Sequence, residues 1–461
     1  MTNQTRRNLL KTGAAVAAAT SFPAIVPSSV FGQTAPSNRI NIGAIGVGRI
    51  SRAHDMHETL NYPDKARIIA VCDLDTKRVA SGIEYVDKGY SEKLGHDYKG
   101  TRGYGDYHEL LANKDIDAVL ISTPDHQHSI TAVHAVRAKK DVYMQKPASL
   151  TIADGRTLVT EVEKSGRIFQ IGSQQRSDNP WPQFRRAAEL VRNGRIGKLQ
   201  HVEVGLPGDP SGPEAPPMPI PSNLNYDAWL GSTPEVYYTE IRVHPQDGSF
   251  SRPGWLRCEQ FGAGMITGWG AHHVDSAHWG MGTEHTGPVE VWGDAQFPKS
   301  GLWNVHGSFL THAIYANGVT MDISGDFPNG IRFIGDKGWI FVSRGDAAVT
   351  PSDPSWGTKS PGALVASDEK ILGSVIGPNE IHLYKSYEHH GNWIDSVRTR
   401  APNAAPVEIG HRACSTCLVH QVAMHLKRRL HWDPAAERFQ NDDEANGWLS
   451  RPHRKPYTFN S

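Results

Sequence analysis

The stretch Arg39-Ile40-Asn41-Ile42-Gly43-Ala44-Ile45-Gly46-Val47-Gly48-Arg49-Ile50-Ser51 decides the fold. Its first half is a short apolar strand, and its second half turns into a helix. Gly46 allows a tight turn after the strand. Gly48 lets the main chain approach a pyrophosphate, which then lies on the positive end of the helix. Arg49 and Ile50 follow on the same candidate cofactor surface. The third position of the motif is Ser51 instead of Gly or Ala, still small enough for close helix–strand packing. An acid is expected about 20 residues further on, and Asp73 stands at the end of a second apolar strand, Arg67–Cys72. There it is placed to accept hydrogen bonds from an adenosine ribose. That favours NAD, while Lys77 and Arg78 nearby keep NADP open.

Working outward, the alternation continues. Asp117–Ser122 is a strand, followed by Thr123-Pro124 and a helix from about His126 to Ala138. Asp141–Met144 is a strand, Ile152–Ser165 a helix and Arg167–Ile171 a strand. Strands separated by helical stretches of 10–15 residues imply right-handed crossovers on a parallel sheet. Residues 38–171 are therefore expected to form a doubly wound α/β domain of the Rossmann type. From Gly172 the alternation stops. Pro180–Asn193 is helical, Lys198–Leu206 is a strand, and a proline-rich loop runs from Pro207 to Pro221. Thr311–Ile323 and Ile331–Val342 are strand-like, Ser352–Glu380 is loop-like, and Tyr387–Thr399 and Ala413–Leu430 are helical. Residues 172–461 are expected to form an α+β domain with a large, mostly antiparallel sheet.

The bulk composition narrows the function. The 461 residues carry 48 Lys+Arg and 48 Asp+Glu, so no basic surplus argues for nucleic acid. Hydrophobic residues make up 38%, enough for a sizeable core, and four Cys do not make a disulfide scaffold. The N-terminus, Thr5-Arg6-Arg7-Asn8-Leu9-Leu10-Lys11 followed by an Ala-rich apolar run, has the form of a twin-arginine export signal over residues 1–32. The expected location is periplasmic, with no membrane span in the mature chain. That route carries folded proteins, so a nucleotide-using enzyme on it must hold its cofactor tightly and regenerate it in place.

Three further motifs carry chemistry: Thr123-Pro124-Asp125-His126-Gln127-His128, Tyr143-Met144-Gln145-Lys146-Pro147, and Gly268-Trp269-Gly270-Ala271-His272-His273-Val274-Asp275. With the glycine turn, this set resembles the glucose–fructose oxidoreductase/inositol dehydrogenase (Gfo/Idh/MocA) family, over nearly all of the chain beyond the leader. The resemblance implies that Lys146 contacts substrate hydroxyls near the nicotinamide, that His272 is the acid/base, and that Asp275 is the closing aspartate. It also implies that Thr123, Pro124 and His128 border the cofactor, and that the chain forms a homodimer or homotetramer. The chemistry is consistent with this. Alcohol oxidation needs a base for the hydroxyl proton while hydride leaves carbon, and imidazole exchanges protons near neutrality. An ammonium at the same oxygen stabilises the developing alkoxide. On a helix, Asp275 would share a face with His272 and orient its ring.

Two residues depart from the family pattern. Gln145 replaces the usual glutamate before the lysine, and Gly268 stands where many members carry an aspartate. Arg176 is a candidate for sugar hydroxyls or a carboxylate, with a structural ion pair as the competing reading. Tyr237 and Trp255 are candidates for stacking on a pyranose, with packing as their default, and His273 is a candidate substrate contact. His272, His273, Asp275 and His278 include metal-ligand types but make no full set at zinc spacing, so no metal is expected. Cys414-Ser415-Thr416-Cys417 is a C-x-x-C, but it lies inside a helical pattern. The expected function is an NAD(P)-dependent oxidoreductase moving hydride between a carbohydrate or cyclitol hydroxyl and a tightly bound nicotinamide. The alternatives are a glycosidase or lyase working by transient oxidation, and a non-catalytic sugar-binding protein.

Overall fold

The computed structural model describes residues 39–345 and 361–461. The leader at residues 1–32 lies outside them, as do residues 352–360 of the expected polar loop. The first sheet contains six parallel strands: β1 (Ile40–Ile45), β2 (Ala66–Cys72), β3 (Arg102–Tyr104), β4 (Ala118–Ile121), β5 (Asp141–Met144) and β6 (Phe169–Ile171). Their order, β3-β2-β1-β4-β5-β6, reverses direction beside β1. In such sheets the switch point opens a crevice at the carboxyl ends of the strands, where ligands bind. All four residues of β4 and all four of β5 are buried, as a sheet covered on both faces requires. The crossover helix Ile152–Ser165 shows why the chain folds this way locally. Thr151 caps it by accepting a hydrogen bond from the Asp154 amide, and Gly166 ends it in the left-handed region at φ 62°.

The second sheet has nine strands: β7 (Leu199–Gly205), β8 (Pro288–Ala295), β9 (Phe309–Tyr315), β10 (Thr320–Ser324), β11 (Gly330–Gly335), β12 (Gly338–Val342), β13 (Leu364–Ala366), β14 (Leu430–Asp433) and β15 (Arg438–Phe439). β7 and β10 pair in parallel and the other neighbours are antiparallel. The single runs read at Thr311–Ile323 and Ile331–Val342 are each a hairpin, because Ala316–Val319 and Asp336–Lys337 turn the chain within them. The last long helix is Val407–Leu426. It begins earlier than Ala413 and ends before Leu430, with Lys427 left-handed at its end and Leu430 starting β14. This helix and Gly270–Met281 pack on each other and on the sheet.

Two features differ from the sequence reading. The glycine turn does not enter a regular helix. Ser51–Asp55 is a π-helical turn, and an α-helical turn, Met56–Thr59, follows it. The wider turn draws Ser51 and Asp55 fully inside. The second is a packing that the sequence reading did not foresee. Helix His389–Thr399 falls within the expected second domain, yet Trp393, Ile394 and Val397 pack into the core around β1 and β2. Main-chain bonds stitch the same return to the first sheet: the Ile171 amide donates to the Ala405 carbonyl. A fully buried Trp truncated to Ala costs about 3–5 kcal/mol, so Trp393 ties the chain's late segment to its first lobe strongly.

Candidate active site

A cavity of about 790 Å³ opens at the carboxyl ends of β1, β2, β4 and β5. The glycine turn forms one wall. Gly46 sits at φ 82°, and a Cβ there would lie 2.7 Å from the Ser122 carbonyl oxygen. Only glycine fits both constraints. Asp73 accepts from the Val47 amide at 3.0 Å through one oxygen and from the Asp75 amide at 3.1 Å through the other. It holds the turn against the end of β2 while still lining the cavity.

Asp75, which the sequence reading passed over, fixes the neighbouring wall. It caps helix Thr76–Leu94 and also accepts from His244 at 3.0 Å and from Asn223 at 2.8 Å, so a loop of the second lobe is pinned at this end. Burial alone would raise its carboxyl, but the hydrogen bonds from His244, Asn223 and Gln246 outweigh burial and hold it well below the usual carboxylate range. Pro456, Tyr457 and Ser461 line the same cavity, with Tyr457 donating to Asp227 at 2.6 Å.

At the other end stand Lys146 and His272. Lys146 follows β5 and donates to the Gly268 carbonyl at 2.8 Å, so the lysine is bound to the main chain at the very position where the aspartate is missing. His272 lies on helix Gly270–Met281 and lines the cavity. Burial, then the charges of Arg344 and Lys146, hold it well below the ordinary histidine value, so the ring is neutral at pH 7. Its Nδ1 is buried with no hydrogen-bond partner among the described residues, as is the Oγ1 of Thr123. Buried polar atoms are rarely left unmatched, and both line a cavity of a size that takes a ligand. The glycine cradle, Asp73 and these orphaned atoms fit a nicotinamide dinucleotide. His128 locks the frame between them: its Nδ1 lies 2.7 Å from the Pro147 oxygen and its Nε2 2.9 Å from the Thr123 oxygen, and burial pushes its pKa down to about 4.

Of the expected cofactor residues, Gly46, Gly48, Arg49, Ile50, Asp73, Thr123, Pro124, His128 and Lys146 all line this one cavity, as do His272 and Trp255. Four expected residues do not. Asp275 does not orient His272. It receives Arg176 through two bonds, Nε at 2.6 Å and NH2 at 2.9 Å. Arg176 also binds Glu284 at 2.8 Å and is 3% exposed, so the structural ion pair is the reading that holds, and it contacts no cavity wall. His273 is fully buried, with Nε2 against Asn329 at 2.6 Å. Tyr237 is 45% exposed and donates to the Ala215 carbonyl, away from the lining. Cys414 and Cys417 are buried in helix Val407–Leu426, where burial pushes the Cys414 thiol up to about 11, so the pair lacks thiolate character.

The sequence reading also missed a cluster behind Lys146. Asp55, carried inward by the π turn, accepts from Ser122 at 2.6 Å and Gln145 at 2.7 Å, and its Oδ1 lies 3.0 Å from the Nε2 of His390. The amide of Gln145 thus donates to a carboxylate. A glutamate there would face Asp55 with like charge. His390 also meets Glu388 at 3.2 Å. Burial lowers it, but these two acids outweigh burial and raise its pKa to about 9. Asp125, quoted in the sequence only as part of a loop, is 4% exposed on the cavity wall. Burial pushes its carboxyl up to about 7 against the opposing charge of Lys146.

Comparison with known proteins agrees with this arrangement. Residues 40–173 match the model of the NAD-binding Rossmann fold of the Gfo/Idh/MocA oxidoreductase family, and residues 211–342 and 380–459 match that family's C-terminal alpha/beta domain. Residues 3–23 match a twin-arginine translocation signal. The chain is 34% identical to a myo-inositol 2-dehydrogenase of Thermotoga maritima over 38% of its own length and 47% of that protein's. At such identities it spans about half the length of the curated relatives it matches. With an inositol 2-dehydrogenase of Rubrobacter xylanophilus it shares 24% identity over 79% of this chain and 93% of that one. Among solved structures, the WlbA dehydrogenase of Chromobacterium violaceum, crystallised with NADH and UDP-GlcNAcA, superposes with a TM-score of 0.57 at 17% identity, covering 89% of this chain and 99% of that one. That likeness is one of fold.

Proposed function

The chain belongs to the Gfo/Idh/MocA oxidoreductase family, and we propose that it transfers hydride between a hydroxyl of a carbohydrate or cyclitol and a retained nicotinamide cofactor. The observation that carries this reading is that Lys146, after β5, and His272, on helix Gly270–Met281, both line the cavity that the glycine turn opens. Gly46, Gly48, Asp73 and Thr123 would hold the dinucleotide, which when bound supplies the hydride acceptor. The ammonium of Lys146 steadies the hydroxyl oxygen as it becomes an alkoxide. The neutral imidazole of His272 takes the hydroxyl proton. Trp255 supplies an apolar wall for the sugar ring.

Retention of the cofactor, and export of the loaded protein to the periplasm, belong to the same proposal. The twin-arginine match supports export. The loop pinned on Asp75 and the tail bound at Asp227 both border the cavity, which supports retention. The test uses purified protein with whatever cofactor it carries, mixed with a panel of sugars, glycosides and cyclitols. Absorbance of reduced nicotinamide and sugar release are followed together. Reduction of the bound cofactor by one substrate and reoxidation by a second carbonyl compound are expected. Glycoside cleavage without net reduction would move the reading to transient oxidation, and no turnover with any member would overturn it.

A further inference from the structure

We propose that Asp209 and His306 are positioning residues for Lys146: together they hold the short turn Met265–Gly268, whose last carbonyl receives the ammonium. The inference rests on the reading of Lys146 as the group that steadies the alkoxide. A chain of hydrogen bonds carries it. Lys146 donates to the Gly268 carbonyl at 2.8 Å. The turn that presents this carbonyl is four residues long, so its first amides need acceptors from outside it. The Met265 amide donates to Oδ2 of Asp209 at 2.8 Å, and the Ile266 amide donates to Nε2 of His306 at 3.1 Å. At the far end, the Gly268 amide closes on the Gly264 carbonyl at 2.9 Å.

Both anchors stand beside the second sheet, and neither lines the cavity. Asp209 lies beyond the end of β7 and His306 shortly before β9. The Asp209 amide donates to the His306 carbonyl at 3.1 Å, which joins the two into one support. Asp209 is 5% exposed and His306 1%. Gly264 makes room for the first contact. It sits at φ 70°, and a Cβ there would lie 2.7 Å from Oδ2 of Asp209.

The two side chains present acceptors at neutral pH. Nε2 of His306 accepts from an amide, so the ring carries its proton on Nδ1, 3.2 Å from the Gly307 carbonyl oxygen. Burial pushes its pKa down to about 4, which keeps the ring neutral. Burial pushes the Asp209 carboxyl up to about 6, against the charge of Arg257, whose Nε lies 3.4 Å away. At pH 7 Asp209 is therefore mostly ionised, and an ionised acceptor binds an amide more strongly. Neither residue makes or breaks a bond in the hydride transfer. They fix the Gly268 oxygen, and a misplacement of about 1 Å can lower a rate on the order of 100-fold.

The experiment compares wild type with D209A, D209N and H306L, each alone and combined with K146M. D209A and H306L are expected to lower kcat on the order of 10- to 100-fold, and D209N, which keeps an oxygen acceptor, to recover part of the loss. On top of K146M the same substitutions should change kcat less than about twofold, because they act through the lysine. Competitive acetylation read by mass spectrometry follows the lysine without substrate. A hydrogen bond to an ammonium favours its charged form, so Lys146 should acetylate about threefold faster or more, relative to exposed Lys77, in D209A and H306L. In D209N it should stay near the wild-type rate. Should D209A fail to fold, H306L, which removes one acceptor at similar volume, decides alone. Unchanged Lys146 labelling in H306L, or a full further loss of kcat on top of K146M, overturns the proposal. If no substrate turns over at all, the functional reading fails, yet the labelling still decides whether the two residues hold the lysine.

Discussion

The two ends of the cavity are built by opposite means. The glycine end is nearly continuous in sequence: β1, its turn and the end of β2 supply Gly46, Gly48 and Asp73, joined by a bond from Val47 to Asp73. The reactive end is gathered from afar. Lys146 and the carbonyl it binds are 122 residues apart, and the π turn, the His389–Thr399 helix and the Gly270–Met281 helix each add a side chain. A phosphate-binding turn needs main-chain shape, which a short segment can hold by itself. Proton and alkoxide chemistry needs several charged or neutral groups at fixed distances inside a dry volume, and only a folded core supplies that.

Substitutions can break this contrast at several places. The largest effect is expected from Arg176→Ala. Removing one partner of a buried pair leaves Asp275 without its cation and should cost about 3–5 kcal/mol of stability in a denaturant titration. The fraction still folded should bind carbohydrate as before. A selective loss of sugar affinity would return Arg176 to the reactive end. Next is Lys146→Ala, for which turnover should fall about 10²- to 10³-fold while the bound cofactor stays, as measured by single-turnover absorbance. Loss of cofactor along with turnover would mean that the two ends are not separable.

Gly46→Ala attacks the opposite wall. The left-handed backbone and the close Ser122 carbonyl should cost about 1–3 kcal/mol, read as weaker cofactor retention on dialysis. Unchanged retention would show that the turn does not set the glycine end. A smaller effect comes with pH. His390 is raised to about 9 from its ordinary value, so its contribution to stability is complete below about pH 6.5 and is lost as pH rises through 9. The difference in thermal midpoint between wild type and His390→Gln should therefore shrink from pH 6 to pH 10. A difference that grows with pH would mean that the Asp55–His390–Glu388 cluster is held together by something other than the charged ring. The smallest effect is expected at Tyr237→Ala, with kcat/KM changing less than about twofold, since the side chain lies outside the cavity.

Much of this contrast was legible in the sequence, and its failures have a common cause. Gly46, Gly48, Asp73, Lys146 and His272 could be placed because each sits at a strand end or helix start whose direction the alternation of strands and helices fixes. His273 was misread because it directly follows His272, and successive residues on a helix do not share a direction, whereas Asp275 is taken by Arg176, 99 residues earlier, which no local pattern announces. Successive residues are rotated by about 100°, so His272 reaches the cavity while His273 turns to Asn329. The π turn at Ser51–Asp55 leaves no mark in hydrophobic periodicity, so Asp55 and its partner His390, 335 residues later, had no local signal. The split of Thr311–Ile323 into β9 and β10 was missed although Asn317-Gly318, a hairpin-turn pair, stands in its middle.

The acceptor for the lysine ammonium has a consequence for how this protein can change over generations. An aspartate at 268 would be a single point of failure, erased by one codon change. A peptide oxygen is present whatever residue occupies the position, so inheritance can drift there without unseating the ammonium. What selection must guard instead is the course of the polypeptide itself, the short turn Met265–Gly268 that aims that oxygen.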